Sequence, residues 1–237
     1  MKQYLSPTAI NIYRQCPRKF YYYINEYPSL KPFYEAATIF GDIVHKIIKR
    51  YYETIPENIT PSEVQLYVTK AYKEVSEDYL IIGPERHRLE KQLLNFIDFE
   101  KKRLTWSLTV KPIAVEKEYV KGKVHGIVDA VFLKGNDKVV VDWKTGRSQA
   151  SLTEDIIIQV NVYMWLVGAK KGYVLFLEYG NFTEVPKVIN VDEIVNLILM
   201  DNKYAKVRRP ETCRKCEYQL LCLMDLHNFS FWEVVKI

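Results

Sequence analysis

Apolar residues recur at helical spacing through Phe40, Ile43, Val44, Ile47, Ile48 and Tyr51, which predicts an amphipathic helix over about 39–54. Pro61 and Ser62 open a second helix expected over about 61–80, and a third runs from about 85 to 106 after the break at Gly83-Pro84. Upstream, Ser6 followed by Pro7 has the form of an N-cap with proline at the first helical position, and that short helix is expected to end near Cys16-Pro17. The pattern then changes period. Residues 113–121, 124–133 and 138–144 are rich in Val and Ile, and Lys121-Gly122-Lys123 and Gly135-Asn136-Asp137 separate them as turns, so three strands are expected. Residues 154–169 are apolar and unbroken until Gly168, which predicts a buried helix. Strands are expected at 173–179 and 185–190, and a last helix at about 192–206. The order is a helical region, a sheet with an embedded helix, and a cysteine-bearing tail, which is an α/β chain.

Composition adds little to this picture. The 237 residues fit one large domain, or one domain with a small appendage. A hydrophobic share of 48% supports a real core. No apolar run is long enough to span a membrane, and the opening MKQYLSPTAI lacks the apolar stretch of a signal peptide, so a cytoplasmic location is expected. The net charge of +5 permits a polyanionic partner without requiring one. Basic residues cluster at Arg14, Arg18 and Lys19, at Lys101, Lys102 and Arg103, and at Arg208 and Arg209, each of which taken singly reads as a solvated face.

The four cysteines change the picture more. Cys213, Cys216 and Cys222 form C-x2-C-x5-C, and Cys16, far upstream, is the remaining cysteine. In a reducing compartment this spacing reads first as a metal site, with Cys16 available as fourth ligand. Two disulfides are the alternative, and spacing does not separate zinc from an iron–sulfur cluster. Any of these ties the two ends of the chain into one subdomain across a long loop.

The chemistry-bearing residues lie elsewhere. In Val139-Val140-Val141-Asp142-Trp143-Lys144, strand alternation puts Asp142 and Lys144 on one face and Trp143 on the other. Asp129 interrupts a core-like run in the preceding strand, and a hairpin would bring it close to Asp142. Two neighbouring carboxylates repel unless a proton or cation lies between them, and hard oxygen ligands suit Mg²⁺ or Mn²⁺. His45 stands four residues after Gly41, on the same helical face. Gln159 and Tyr163 share the same relation on the apolar helix. Taken one at a time, a strand-end ion pair, a satisfied helical histidine and a core amide would account for them.

Taken in order, Gly41-x3-His45, Gly126-x2-Asp129, Asp142-x-Lys144-Thr145-Gly146, Gln159-x3-Tyr163 and the Cys16, Cys213, Cys216, Cys222 set closely resemble the RecB-like branch of the PD-(D/E)XK nucleases. The cysteine arrangement and the opening Ser6…Cys16-Pro17-x2-Phe20 are similar to the CRISPR-associated exonucleases of the Cas-four type, and the likeness covers nearly the whole chain. One nuance is Asp142, where many relatives carry Glu.

The resemblance implies a restriction-endonuclease-like core with a mixed central sheet flanked by helices over 31–204, and an iron–sulfur subdomain built from 1–30 and 205–237. It implies that Asp129 and Asp142 bind Mg²⁺ or Mn²⁺ with His45 as a further ligand. Lys144 would act on the attacking water and the phosphate, with Gln159 and Tyr163 positioning it or the DNA backbone. It implies a [4Fe–4S] cluster, ahead of a [2Fe–2S] one, on the four cysteines. The expected substrate is single-stranded DNA or DNA with single-stranded ends, and the expected setting is CRISPR adaptation beside the integrase proteins. The competing readings are a RecB-like nuclease of recombination, repair or a virus, a non-catalytic DNA-binding accessory protein, and a zinc-stapled DNA-binding module.

Overall fold

The computed structural model describes residues 3–29, 35–77, 79, 84–147, 150–201, 206 and 208–226, with backbone alone at 35–38, 84, 215 and 226. In chain order the elements are α1 (Pro7–Gln15), α2 (Pro17–Ile24), α3 (Glu35–Thr54), α4 (Val64–Ser76) and α5 (Pro84–Arg103). Then come β1 (Ala114–Lys121), β2 (Val124–Lys134), β3 (Asp137–Lys144), α6 (Glu154–Val167), β4 (Lys171–Phe176) and β5 (Asn181–Val185). The chain continues with α7 (Val191–Met200), a 3₁₀ turn (Pro210–Lys215) and α8 (Gln219–Leu226). No helix among the described residues is long and apolar enough to cross a membrane. The chain divides into two compact units, Glu35–Ile189 and the pair Met1–Tyr34 with Asn190–Ile237.

The larger unit is built on a five-stranded sheet in the order β1-β2-β3-β4-β5. Its pairs are antiparallel except β3 with β4, which are parallel. A parallel pair needs a crossover, and α6 supplies it. Thr153 caps α6 by accepting from the Ile156 N–H, Glu154 and Asp155 sit in its positive first turn, and Gly168 ends it in the left-handed conformation at φ 70°. Apolar residues lie all round α6, and Ile156, Ile158, Val160, Val162, Met164, Leu166 and Val167 are buried, as expected of a helix lying on a sheet face. On the other face Val141, Trp143, Ala130, Phe132 and Leu175 meet the apolar stripes of α3, α4 and α5 in one core. Sheet alternation therefore turns Trp143 into the core and leaves Asp142 and Lys144 on the α6 face.

Three expectations are corrected. The strand expected at 185–190 is β5 at Asn181–Val185, because Pro186 has no N–H for the ladder and the turn at 177–180 ends on Gly180 with φ 72°. The helix expected from 61 starts at Val64, since Glu63 reaches back to the Thr60 N–H and hydroxyl and holds a turn there. The last helix stops at Met200, with Asp201 extended at ψ 97°.

In the smaller unit, the aromatic and basic stretch after Cys16 forms α2, with Pro17 at its first turn. Phe20 and Tyr22 are each 1% exposed, and Tyr22 stacks on Tyr218 with ring centroids 5.6 Å apart. These rings are packed inside the unit. Tyr13 donates to Asp201 at 2.6 Å, Arg18 pairs with Asp225 at 2.9 Å and Lys19 with Glu217 at 3.0 Å. A tyrosine of α1 and basic residues of α2 thus meet acids near the chain's other end.

Candidate active site

The hairpin of β2 and β3 pairs Ala130 with Val141, so the next residues outward, Asp129 and Asp142, stand side by side where β3 ends. Asp129 Oδ2 accepts from the Trp143 N–H at 2.8 Å, taking a ladder position with its side chain. Asp142 is fully buried, and neither of its oxygens accepts a well-formed hydrogen bond among the described residues. Lys144 Nζ lies 2.8 Å from Asp142 Oδ2, an ion-pair distance, but outside hydrogen-bonding angles. The charge contact at Oδ2 is close, and Oδ1 has no hydrogen-bond partner among the described residues. A buried carboxylate in that condition is costly, which makes the residue informative.

Lys144 donates to Gln159 Oε1 at 2.8 Å, and Gln159 Nε2 donates to the Tyr163 hydroxyl at 2.8 Å. The relay fixes which end of the Gln159 amide faces the ammonium. Tyr163 comes this close to the sheet because residue 126 is glycine: a Cβ there would sit 3.0 Å from the ring. The hydroxyl of Tyr163 is pushed well above its usual pKa by burial and by the charges of Asp142 and Asp129, so it stays a neutral donor.

His45 enters from α3. Its Nδ1 is 3.3 Å from Glu116 Oε1 and 3.8 Å from Asp129 Oδ1. Burial lowers the His45 pKa, but Asp129, Glu116 and Asp142 together outweigh it and raise it to about 9. Burial and then the neighbouring Asp142 charge raise Asp129 to about 7, against the opposing pull of His45, Lys144 and the Trp143 N–H. The neighbouring acids thus favour the protonated form of His45, and burial with the Asp142 charge favours that of Asp129.

Glu116 was not among the sequence candidates. It is the one position between Val115↔Ala130 and Lys117↔Val128 missing from the β1–β2 ladder, directly opposite Asp129. Its φ is +40°, a conformation an L-residue adopts only at a cost of about 1–3 kcal/mol. The signal was present in the turn at Gly122, which sets the hairpin register, yet a glutamate on an edge strand reads as solvent-facing alternation.

Of these residues His45, Glu116, Asp129 and Tyr163 line one cleft of about 520 Å³, together with Gly41 and Thr145 among others. The structure therefore gathers His45, Asp129, Asp142, Lys144, Gln159 and Tyr163 around one end of the sheet. The four cysteines lie in the smaller unit, all free, and Cys16, Cys213, Cys216 and Cys222 line one cavity of about 80 Å³. Among the described residues, no group of three or more His, Cys, Asp or Glu is already disposed as a metal cage. The donors in the larger unit instead face His45 and Lys144. Their chemistry nevertheless fits a hard divalent cation: oxygen donors, an imidazole, and a buried carboxylate with both oxygens unfilled.

A mixed sheet covered by helices, with paired acids and a lysine at the end of adjacent strands, has the form of a restriction-endonuclease-like core. The family model described as the PD-(D/E)XK nuclease superfamily matches residues 4–223, and the chain belongs to that superfamily. No curated protein matches the chain. Among solved structures it is similar to one titled "Crystal structure of SSO0001", at 19% identity and a TM-score of 0.36, over 80% of this chain and 98% of that one.

Proposed function

We propose that this protein is a divalent-metal-dependent deoxyribonuclease that hydrolyses phosphodiester bonds at single-stranded DNA ends. The observation that carries the reading is Asp142: a fully buried carboxylate with unfilled oxygens, beside a second acid and within 2.8 Å of a lysine that is itself held by an amide–phenol relay. Membership of the nuclease superfamily supports the same reading. Asp129 and Asp142, with His45, would hold Mg²⁺ or Mn²⁺. The bound cation supplies Lewis acidity toward phosphate and water. Lys144 presents a compact positive charge toward the phosphate as negative charge builds on it, and Gln159 with Tyr163 keeps that ammonium in place.

The proposal extends to the smaller unit. Cys16, Cys213, Cys216 and Cys222 would hold an iron–sulfur cluster, [4Fe–4S] ahead of [2Fe–2S], as a structural staple. The support is their shared cavity and the C-x2-C-x5-C spacing. The setting we propose is trimming of DNA fragments for CRISPR spacer acquisition, beside the integrase proteins. The support for it is the order of motifs along the chain.

End-labelled single-stranded DNA incubated with anaerobically purified protein tests the reading. Cleavage with Mn²⁺ or Mg²⁺, absent with EDTA and lost in Lys144→Ala, is the expected outcome. Cleavage that survives in Lys144→Ala, or that ignores EDTA, contradicts the site. Brown colour with visible absorption and about four irons per chain is expected for the cluster. A colourless protein carrying zinc contradicts it.

A further inference from the structure

Thr145 follows Lys144 at the end of β3 and lines the cleft with His45, Asp129 and Tyr163. Its carbonyl is pinned from α5, accepting from Arg88 Nη2 and from Gln92 Nε2 at 3.0 Å. Both donors are themselves fixed by Glu178 Oε2, which accepts from Arg88 Nε at 3.1 Å and from Gln92 Nε2 at 2.8 Å. Gln92 has no exposed surface, and its Oε1 meets no partner among the described residues. The amide is thus turned so that both jobs fall to its N–H groups, leaving an acceptor unfilled. Folding alone would favour an apolar side chain at that position.

On the cleft side the hydroxyl has its own space. A Cβ at residue 41 would come within 3.1 Å of Thr145 Oγ1, so glycine on α3 keeps the hydroxyl from being crowded. No hydrogen bond of Oγ1 occurs among the described residues; the bonds of Thr145 run through its carbonyl. A hydroxyl without a hydrogen-bond partner among the described residues therefore lines the cleft, on a backbone held by two long side chains that Glu178 fixes in turn.

We infer that Thr145 is a further substrate-contacting residue, whose hydroxyl donates to a non-bridging phosphate oxygen of the DNA strand in the cleft. Arg88, Gln92 and Glu178 are positioning residues that hold it there. Threonine hydroxyls serve this role in DNA interfaces because they fix register without reading sequence. A hydrogen bond to a charged oxygen is stronger than a neutral one, so its loss is measurable. The inference rests on the nuclease reading and names a phosphate contact of that site.

Anisotropy of a 5′-labelled oligo(dT) in EDTA, together with steady-state cleavage in Mn²⁺, tests it. Thr145→Val keeps the shape and removes the hydroxyl, and should weaken binding and raise KM about tenfold, while Thr145→Ser stays within about twofold of wild type. Arg88→Met should reproduce the Thr145→Val defect, with partial recovery in Arg88→Lys. Thermal melting of each variant separates these effects from unfolding. Wild-type affinity in a folded Thr145→Val, or equal losses in the Val and Ser variants, overturns the inference. Because binding is read without metal, wild-type protein that binds DNA but never cleaves it counts against the nuclease reading alone.

Discussion

Two buried charge clusters lie in the larger unit, and they are satisfied in opposite ways. Glu100 and Arg103 on α5 are both fully buried. Glu100 accepts from the hydroxyls of Tyr51 at 3.1 Å and Tyr52 at 2.7 Å and from Arg103 Nη2 at 2.8 Å. Arg103 Nε also donates to Glu100 Oε1, while Nη1 donates to the Thr109 carbonyl at 2.9 Å and Nη2 to the Val110 carbonyl at 2.8 Å. Every strong group in that cluster is answered by another group of the chain. At Asp142 the reverse holds: equal burial, one charge contact, no hydrogen bond. A buried ion pair held for the fold is closed on itself. On the function proposed above, the open one at Asp142 would be completed by a cation.

That contrast can be broken by exchanging the two kinds of damage. The largest expected effect is on catalysis: Asp142→Asn and Lys144→Ala should each lower kcat by at least ~10²–10³-fold while thermal melting moves by a few degrees. A full-rate, folded Asp142→Asn variant would dissolve the distinction. Next, Arg103→Met should cost about 3–5 kcal/mol of stability, because it strands the Glu100 carboxylate, and should leave KM and kcat of the surviving folded fraction near wild type. Urea unfolding alongside the cleavage assay measures both. Gln159→Leu should lower kcat by ~10–100-fold without changing the melting temperature by more than a few degrees, since it frees the ammonium without emptying the core.

A smaller effect follows from the protons. His45 is raised from its ordinary 6.5 to about 9, so its contribution to stability is fully present below pH 6.5 and is lost as the pH rises through 9. Asp129 is raised from 3.8 to about 7, so folding favours its protonated form, and that contribution is lost as the pH rises through 7. Both act in the same direction. Protein in EDTA should therefore show a falling urea midpoint between pH 6 and pH 9, and Mn²⁺ should restore most of the loss at pH 9. A midpoint that climbs over that range in EDTA would contradict the charge balance assigned to the site.

Much of this was legible because it depended on local period. Strand alternation alone separated Asp142 and Lys144 from Trp143, and the hairpin turn at Gly135 set Asp129 beside Asp142. The i, i+4 relation of Gln159 and Tyr163 became the relay to Lys144. Features created by distant partners were not legible. Gln92 and Glu178 are 86 positions apart, and nothing in either local pattern announces that Gln92 donates both to Glu178 and to the Thr145 carbonyl. Glu116 depended on a backbone strained by its own hairpin. The displaced fifth strand shows a local failure of another kind, since apolar residues on both sides of Pro186 hid the break in hydrogen bonding.

Calorimetric titration of Mn²⁺ into metal-free wild type and Asp142→Asn at pH 7, with circular dichroism to verify the fold, tests the central claim most directly. The account predicts saturable binding to the wild type, with protons released from the site, and loss of that binding in the variant. Equal Mn²⁺ affinity in the two folded proteins would contradict it.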